Sequence, residues 1–342
     1  MFHFRKVFFA ATLIAGSYAG TAAHSAELNV ICSHDVKWCE YLAQKFEEKT
    51  GIKVNAVRLS AGEAFARIRA EARNPKTDAL YSGPGDTYFA ASREGLLDVY
   101  KSPLLGDLHP WAQRQAEITQ YQSVAWSSSA IGFVYNPEIL EKKGLTPPAC
   151  WADLVKPEYK GEVQIANPNS AGTAAFTLSL LVQFMGEDAA FEYQKKLNEN
   201  ISSYSKSGTA PAKAVSRGEI GIAVAFLADV QPLIDEGFPI KAVYPCEGTS
   251  LSGHGIGIVK GAKNLDEARQ WIDWVLSPEV QSAASGEGVY VVPANSKATV
   301  SDKITALMPT QVFEYDIEKF GPAEMRAHLL KRWTDEIGAN AQ

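Results

Sequence analysis

The sequence lacks the local signatures of the common enzyme classes. Its 342 residues contain no HExxH zinc-protease motif, no GxxxxGK[ST] phosphate-binding loop and no GxSxG nucleophile elbow. Gly83 and Gly85 follow a predicted strand, but the third glycine of a dinucleotide-binding fingerprint is missing. We therefore expect no enzyme and no cofactor. The alternative from another class is a secreted hydrolase whose catalytic residues come together from distant parts of the chain.

The sequence also has no run of basic residues. Lys and Arg number 33 against 39 Asp and Glu, a formal net charge of −6. Nucleic-acid binding is led by phosphate neutralisation, so this balance argues against it. The hydrophobic fraction of 46% and the charged fraction of 21% are those of an ordinary globular protein and exclude disorder. A chain of this length is expected to form two domains or one large one.

No long hydrophobic run follows the first 26 residues. Those residues have a basic start at Arg5 and Lys6, a short apolar run over 7–16, and small residues up to Ala26. The pattern predicts a secretory signal peptide over 1–26, whose apolar run is too short to span a membrane. No cysteine lies at the cleavage site, so no lipid anchor is expected. We predict an exported and soluble mature protein.

Cysteine is scarce, with four residues in all. An even number in an oxidising compartment predicts two disulfides, for which three pairings are possible in principle. Cys32 and Cys39 lie seven apart, across a predicted strand end and helix start. We expect them to pair with each other, which leaves Cys150 with Cys246. The rival interpretation is a metal site of Cys and His, but the sequence has no CxxC pair, and we expect no bound metal.

The chain does have a regular alternation of predicted strands and helices. Such alternation predicts parallel sheets with right-handed crossovers, here in two α/β lobes. Lobe 1 is expected to comprise 27–124 and 250–300, lobe 2 to comprise 125–249, and a helical segment over 301–342 to pack on the lobes. The chain would cross between lobes near 122–129 and 245–252. The predicted strands are 28–32, 53–57, 78–81, 131–135, 162–166, 220–226 and 255–259, and the main helices are 36–50, 61–72, 173–185, 189–199, 211–217 and 265–276.

Turns rich in small polar residues precede several of these helices. In a parallel sheet, strand-to-helix turns meet at the carboxyl edge, where open α/β folds bind ligands. Each turn offers free backbone N–H groups, hydroxyls and the positive end of a helix dipole, so together they predict an anion site. The alternative is ordinary helix capping, which favours the same residue types. The candidate ligand-binding residues are Ser60, Ala61, Ser82, Gly83, Asn169, Ser170, Ala171, Gly172, Thr173, Ser207, Gly208 and Thr209, with Lys206 adding positive charge.

Five further residues are candidates for the same cleft. Ser33 and His34 follow the first strand, where His34 would either cap the next helix or touch the ligand. Trp126 lies in a predicted crossing, and its alternative role is packing between the lobes. Asp229 and Glu247 follow predicted strands. They would accept hydrogen bonds from hydroxyl or ammonium groups of a ligand, or would otherwise be surface acids.

Short segments along the mature chain occur in a fixed order: LNVICS at 28–33, FEEKTGIKV at 46–54, GLL at 95–97, YNP at 135–137, PEYKG at 157–161, AVSRGEI at 214–220 and VKGAKN at 259–264. In this order and spacing the chain resembles the periplasmic solute-binding proteins of ABC importers, in the class that includes ferric-ion-binding proteins. The resemblance implies a two-lobe α/β fold, each lobe a central sheet flanked by helices, with the ligand in the cleft between the lobes.

Within that class, ferric-ion-binding proteins usually carry two adjacent tyrosines shortly after the strand that here ends at Phe226. This chain has Ala228 and Asp229 there. Asp229 and the CEGT segment at 246–249 resemble the branch that binds sugar phosphates and phosphonates, although SLS at 250–252 lacks that branch's second glutamate. The resemblance implies a phosphorylated or phosphonate ligand. The alternative is a ferric ion or metal chelate, held by carboxylates and His34.

The sequence thus predicts the extracytoplasmic binding component of an ABC importer. We expect a monomer that captures a small phosphorylated or phosphonate organic anion by hinge closure and delivers it to a membrane permease. The segment 170–173 would hold the anionic group, with 207–209 opposite it and Ser33 contributed by the other lobe.

Overall fold

The computed structural model describes Met1 and residues 26–338. Most of the predicted signal peptide and the last residues of the predicted C-terminal segment, 2–25 and 339–342, lie outside the described part of the chain. The strands are β1 Glu27–Cys32, β2 Lys53–Arg58, β3 Ala79–Pro84, β4 Val124–Tyr135, β5 Val163–Ala166, β6 Ile201–Ser205, β7 Ile222–Phe226, β8 Lys241–Val243, β9 Leu251–Ile258 and β10 Val292–Pro293. The helices are α1 Val36–Thr50, α2 Ala61–Glu71, α3 Gly85–Arg93, α4 Pro110–Ile118, α5 Pro137–Lys142, α6 Gly172–Met185, α7 Glu187–Asn198, α8 Ala210–Ser216, α9 Gln231–Asp235, α10 Leu265–Val275, α11 Pro278–Gly286, α12 Asp302–Ala306, α13 Ile317–Phe320 and α14 Ala323–Glu336.

The first helix shows how local sequence sets an element. Asp35 precedes α1, and its carboxylate accepts a hydrogen bond from the backbone N–H of Lys37. This satisfies one of the free donors of the first turn. Gly51 ends the helix with φ of +75°, a conformation that glycine adopts without steric cost. Between these two signals, Trp38 and Leu42 lie at helical spacing and are buried in the first lobe.

The main strands form one continuous mixed sheet in the order β2-β1-β3-β9-β4-β7-β5-β6, with β8 and β10 also paired to β4. Pairing is parallel within β2-β1-β3 and within β6-β5-β7, and the α/β class with a central sheet flanked by helices is confirmed. The two halves meet through antiparallel pairs, because β9 runs against β3 and β4, and β4 runs against β7. The prediction that 131–135 belongs to a parallel run is therefore wrong.

Strand β4 belongs to both lobes. Its first half, from Val124 to Ala130, pairs with β9 and β10, and its second half, from Ile131 to Tyr135, pairs with β7 and β8. The whole strand is buried except for Tyr135. The predicted crossing near 122–129 is thus largely a core strand, and this strand carries the chain directly from one lobe to the other.

Each lobe has its own hydrophobic core. The first core joins β1 and α1 to α10 and α11, so the chain returns to this lobe after β9. The second core joins α6 and α7 to the C-terminal helix, whose Leu329 and Trp333 are buried in it. On the same helix, the Arg326 guanidinium lies 3.5 Å from the Asp86 carboxylate of α3, in the first lobe. The C-terminal segment therefore contacts both lobes.

Both predicted disulfides are confirmed. Cys32–Cys39 ties the end of β1 to the first turns of α1, and Cys150–Cys246 joins two segments of the second lobe that are 96 residues apart in sequence. The loop-entropy account attributes about 4–5 kcal/mol to closing a loop of the second kind.

Candidate ligand-binding cleft

A cleft lies where the turns after β1, β2 and β3 face the starts of α6 and α8. It encloses about 480 Å³, including its opening to solvent. Turns from both lobes meet there, as expected for turns that follow the carboxyl ends of parallel strands. The cleft is lined by the predicted residues Ser33, His34, Ser60, Ala61, Ser82, Gly83, Gly172, Thr173, Gly208, Thr209 and Asp229, and by Arg58, Pro84, Phe226 and His254.

The first lobe's wall is packed closely around Gly83. This residue has φ of +96°, and a Cβ placed on it would lie 3.1 Å from the Cβ of Ala61 and 3.5 Å from that of Ser33. Ser82 also has a positive φ, of 66°. For a residue other than glycine this conformation costs on the order of 1–3 kcal/mol, and such strain is commonly found at binding sites. The small residues of this turn bring backbone to the cleft surface.

The second lobe's wall begins with the N-terminus of α6. Ala171 occupies the N-cap and makes no side-chain capping hydrogen bond, and the first turn carries no acidic residue. Its free N–H groups and the positive end of the helix dipole therefore remain for an anion. Ser60 at the start of α2 differs, because its backbone N–H donates to the Glu63 carboxylate over 3.0 Å, which is ordinary capping.

Glycine residues let the cleft walls pack closely, between the lobes at Gly172 and within the second lobe at Gly208. A Cβ on Gly172 would lie 2.7 Å from Cδ of Pro84 and 2.8 Å from Cβ of Ala61, both in the first lobe. A Cβ on Gly208 would lie 2.1 Å from the hydroxyl oxygen of Thr173. Any larger residue at either position would collide with its neighbours in this arrangement. These glycines are required by contact between segments and not by helix capping.

Arg58 is the cationic side chain of the cleft lining that sequence reasoning missed. Its Nη2 donates to the hydroxyl of Ser207 over 2.9 Å, and its Nε donates to the carbonyl of His34 over 3.2 Å. Arg58 is the last residue of β2, at the sheet edge that the turns already marked. Its position at the carboxyl end of a parallel strand is the signal that could have found it.

Two histidines give the cleft an uncharged floor. The ring nitrogens of His254 lie 3.1 Å from the Ser127 hydroxyl and 3.0 Å from the Ser129 hydroxyl. Burial lowers the pKa of His254 to about 3 and that of His34 to about 4. Both imidazoles are therefore neutral at pH 7. His254 was not predicted as a ligand-binding residue, since an antiparallel strand, β9, brings it to this edge.

Asp229 is the acidic group of the cleft lining. Burial and the negative charge of Asp35 raise its pKa to about 7, against the opposing charges of Lys213 and Arg58. Lys213 also forms an ion pair with Asp35, 2.8 Å long, between the second lobe and the first. Asp229 is thus poised to be either a carboxylate or a neutral acid near pH 7.

The remaining predicted residues lie around or away from the cleft. Ser207 is at its edge, bonded to Arg58, and the Ser170 hydroxyl donates to the carbonyl of Lys206 over 3.0 Å. Trp126 is buried behind the floor, its ring centroid 6.0 Å from that of His34. Of the other three, Ala171 is the N-cap of α6 with its side chain buried in a small core, Asn169 donates to Thr334, and Glu247 accepts hydrogen bonds from the backbone N–H groups of Trp151 and Ala152.

Glu247 therefore caps the short helical turn Trp151–Val155 and does not face the ligand cleft. Its carboxylate satisfies two N–H groups at the start of that turn. The neighbouring disulfide of Cys246 with Cys150 brings the two segments together. The structure thus corrects the prediction that this carboxylate meets ligand hydroxyls.

Known proteins share this fold. The sequence profile of bacterial extracellular solute-binding proteins matches residues 41–310. The chain belongs to this family. The resemblance to periplasmic solute-binding proteins is thereby confirmed, and members of the family bind solutes.

Individual relatives in the solute-binding family cover nearly all of the chain. An uncharacterised protein of Haemophilus influenzae is 37% identical over 333 residues, which are 96% of this chain and 95% of that protein. The periplasmic binding protein AfuA from Actinobacillus pleuropneumoniae, solved with exogenous fructose 6-phosphate bound, is 39% identical with a TM-score of 0.88, covering 92% of this chain and 99% of AfuA. The periplasmic binding protein P5PA is 33% identical with a TM-score of 0.87, covering 91% of this chain and 99% of P5PA.

The periplasmic location implied by the resemblance is confirmed by this extracellular family and its periplasmic relatives. Within the described residues, no helix is both long enough and apolar enough to cross a bilayer.

Proposed function

We propose that this protein is the substrate-binding component of an ABC importer, and that it captures a small phosphorylated or phosphonate organic anion by closure of its two lobes. The observation that carries the proposal is the meeting, in one cleft, of Arg58 with a start of α6 that none of the described side chains caps. The structure of AfuA with fructose 6-phosphate bound supports a ligand of this chemical class.

The anionic end of the ligand is assigned to the donors of the cleft. The guanidinium of Arg58 is a planar fork suited to bidentate contact with a phosphoryl group. The first turn of α6 adds backbone N–H groups, and Thr173 and Thr209 add hydroxyls. Because His34 and His254 are neutral, Arg58 supplies the positive charge of the lining. Hydrogen bonds to a charged group contribute roughly 1.5–3 kcal/mol each, so a few such donors outweigh the acidic net charge of the chain.

The other end of the ligand is assigned to Asp229. A carboxylate in a cleft accepts hydrogen bonds from hydroxyl or ammonium groups, and these groups would favour its ionised form. A ligand that carries a phosphoryl or phosphonate group together with a hydroxyl or an ammonium satisfies both ends. An inorganic phosphate ion can bind the donors at the anionic end but has no group for Asp229.

Closure is supported by direct contacts between the lobes. Arg58 bonds Ser207, the Ser60 hydroxyl donates to the carbonyl of Lys206 over 3.2 Å, and the Gly62 N–H donates to the carbonyl of Ser170 over 3.2 Å. Each of these pairs joins the first lobe to the second. The lobes would close as rigid bodies about β4, the strand they share.

Iron carriage is the weaker alternative. Among the described residues that line the cleft there is no tyrosine, and the position after β7 is held by Ala228 and Asp229. Ferric ion prefers several anionic oxygen ligands, whereas this lining offers one carboxylate beside a cation. The proposal therefore assigns an organic anion as cargo.

The proposal also assigns the partners of the protein. It would act as a monomer, deliver the anion to a membrane permease, bind no nucleic acid, and use neither a cofactor nor a catalytic step. A secreted hydrolase on a similar scaffold is the alternative from another class. Turnover of a phosphorylated substrate by the purified protein would favour that alternative.

The test has two stages. Mass spectrometry of small molecules released from gently purified protein should identify an organic phosphate or phosphonate. Titration calorimetry should then show saturable binding of fructose 6-phosphate or 2-aminoethylphosphonate, and much weaker binding of fructose and of inorganic phosphate. Equal affinity for fructose and fructose 6-phosphate, or tight 1:1 binding of ferric ion with a strong visible absorption band, would contradict the proposal.

A further inference from the structure

A second cavity lies on the other side of β4 from the ligand cleft. It encloses about 930 Å³, including its opening to solvent. Its walls come from α3 and α4 of the first lobe, from β4 and β9, from Phe176 of the second lobe, and from the C-terminal segment 312–317.

The strand β4 separates the two sites by its alternation. Successive side chains of a strand point to opposite faces. The hydroxyls of Ser127 and Ser129 contact His254, in the ligand cleft. Ser128 between them lines the second cavity, is only 2% exposed, and its hydroxyl has no hydrogen-bond partner among the described residues. A buried hydroxyl without a partner is costly, so this group points to a ligand that would bond to it.

The wall opposite β4 is fixed in place. The Thr249 N–H donates to the carbonyl of Gln311 over 3.2 Å, and the Phe313 N–H donates to the carbonyl of Thr249 over 3.0 Å. On the other side, the Gln183 amide donates to the carbonyl of Glu314 and accepts from the N–H of Asp316. The C-terminal segment is therefore anchored both to Thr249, just before β9, and to α6, so this wall of the cavity is fixed in place.

The residues that line the second cavity indicate which kind of ligand it can bind. Aromatic rings of Trp111, Phe176, Phe313 and Tyr315 surround the cavity, and those of Phe176 and Tyr315 lie 4.8 Å apart. Of the charged groups at its walls, Asp86 faces Arg326 at 3.5 Å, Arg114 faces Glu318 at 3.2 Å, and Glu314 is exposed to solvent. Aromatic surroundings favour a flat apolar body, and a neutral one enters them without the cost of burying a charge.

We propose that this second cavity, which we call the rear cavity, binds a small neutral molecule. The molecule has a planar apolar body and one hydrogen-bonding group, which meets the hydroxyl of Ser128. The site is separate from the anion cleft and does not depend on what that cleft binds. Because its walls come from both lobes, a molecule bound there prefers one arrangement of the lobes. By linkage, a molecule in the rear cavity changes the affinity of the ligand cleft for its ligand. That ligand in turn changes the affinity of the rear cavity by the same factor.

Indole is a suitable probe because it is neutral, planar and carries one N–H donor. Titration calorimetry of the purified protein with indole should give saturable 1:1 binding, with a dissociation constant on the order of 10–1000 µM. Ser128→Ala should weaken the binding of indole about three- to tenfold. It should weaken the binding of 1-methylindole, whose nitrogen cannot donate, by less than about twofold. Removal of an unpartnered hydroxyl should leave the fold intact.

A second variant tests the location. Val312 lines the cavity and is 46% exposed, so Val312→Trp should fill the opening without disturbing a core and weaken indole at least about tenfold. The matched control is Val300→Trp, at a residue 43% exposed that does not line the cavity, where binding should stay within about twofold. No saturation up to millimolar indole, or equal affinity in these two variants, would overturn the proposal.

Discussion

The guanidinium of Arg58 donates to the hydroxyl of Ser207 over 2.9 Å, so the last residue of a first-lobe strand is bonded to a second-lobe turn. The same guanidinium donates to the carbonyl of His34. Arg58 is therefore held in one orientation by both walls of the cleft. A charged group fixed in this way can meet an anion with little further loss of side-chain entropy.

Replacement of Arg58 should remove most of the affinity for the phosphorylated ligand. Arg58→Gln keeps much of the side chain but deletes the charge, and we expect a loss of about 10- to 150-fold, since a charge-assisted contact contributes roughly 1.5–3 kcal/mol. The measurement is titration calorimetry with fructose 6-phosphate. Arg73→Gln, at an exposed residue outside the cleft, is the control and should bind like the unmodified protein. Equal affinities in the two variants would show that Arg58 does not contact the anion.

Closure of the two lobes should depend on the absence of a side chain at Gly172. Gly172→Ala places a Cβ within 3 Å of Pro84 and Ala61, so the lobes would have to stay further apart. We expect at least about tenfold weaker ligand binding and a larger radius of gyration in the presence of ligand. Small-angle scattering with and without ligand measures the second effect.

The matched control for this substitution is Gly106→Ala, because a Cβ on Gly106 meets nothing within 4 Å. That variant should close normally. Ligand-induced compaction of the Gly172→Ala protein equal to that of the control would mean that the two walls do not meet at this glycine.

The stability of the ligand-free protein should fall as pH rises through the range in which Asp229 titrates. An unfolded aspartate has a pKa near 3.9, whereas Asp229 in the fold has a pKa of about 7. Between these values the unfolded chain has lost the proton and the folded chain keeps it. The free energy of unfolding contributed by this group therefore decreases from about pH 4 to about pH 7 and is constant above that.

Asp229→Asn removes this pH dependence, because an amide does not titrate. Between pH 5 and pH 8, the loss in free energy of unfolding should be about 1–3 kcal/mol smaller in the variant than in the unmodified protein. Urea unfolding at the two pH values, each without ligand, gives the difference. The same pH dependence in both proteins would assign the effect to other groups.

The ion pair of Lys213 with Asp35 should act on ligand release. It joins the lobes at 2.8 Å but is partly exposed, so its contribution should stay below about 1 kcal/mol. Lys213→Met should raise the dissociation rate about two- to fivefold in stopped-flow measurements, and the difference should shrink at high salt. Lys45→Met, which breaks a pair with Glu48 inside α1, should leave the rate unchanged.

Much of the fold could be predicted because its signals are local. Helix α1 has the predicted bounds, since a capping aspartate and a terminal glycine mark them. The strand β6 was missed because its sequence, ISSYS, is mostly polar and it is only partly buried. The first half of β4 was missed for a similar reason, because Ser127 to Ser129 are polar in sequence. They are held in the sheet by pairing with β9, which lies far along the chain.

The cleft, like the fold, could be predicted where its signals are local and not where they depend on distant segments. Turns after parallel strands could be predicted from sequence, since such strands end at one edge of the sheet. His254 could not, because it reaches the cleft on an antiparallel strand whose pairing partners are distant in sequence. The role of Glu247 could not be predicted either, because it depends on a capped turn about a hundred residues earlier, to which the disulfide of Cys246 is the link.

The position of Ser128 between Ser127 and Ser129 has a consequence for how this protein can change over evolution. The pleat of β4 assigns alternate side chains to the anion cleft and to the rear cavity. Insertion or deletion of one residue in this strand would exchange the two faces over every position beyond it, up to the next bulge. A change in strand length therefore alters both sites together, and substitution is the route by which one site can diverge while the other is preserved.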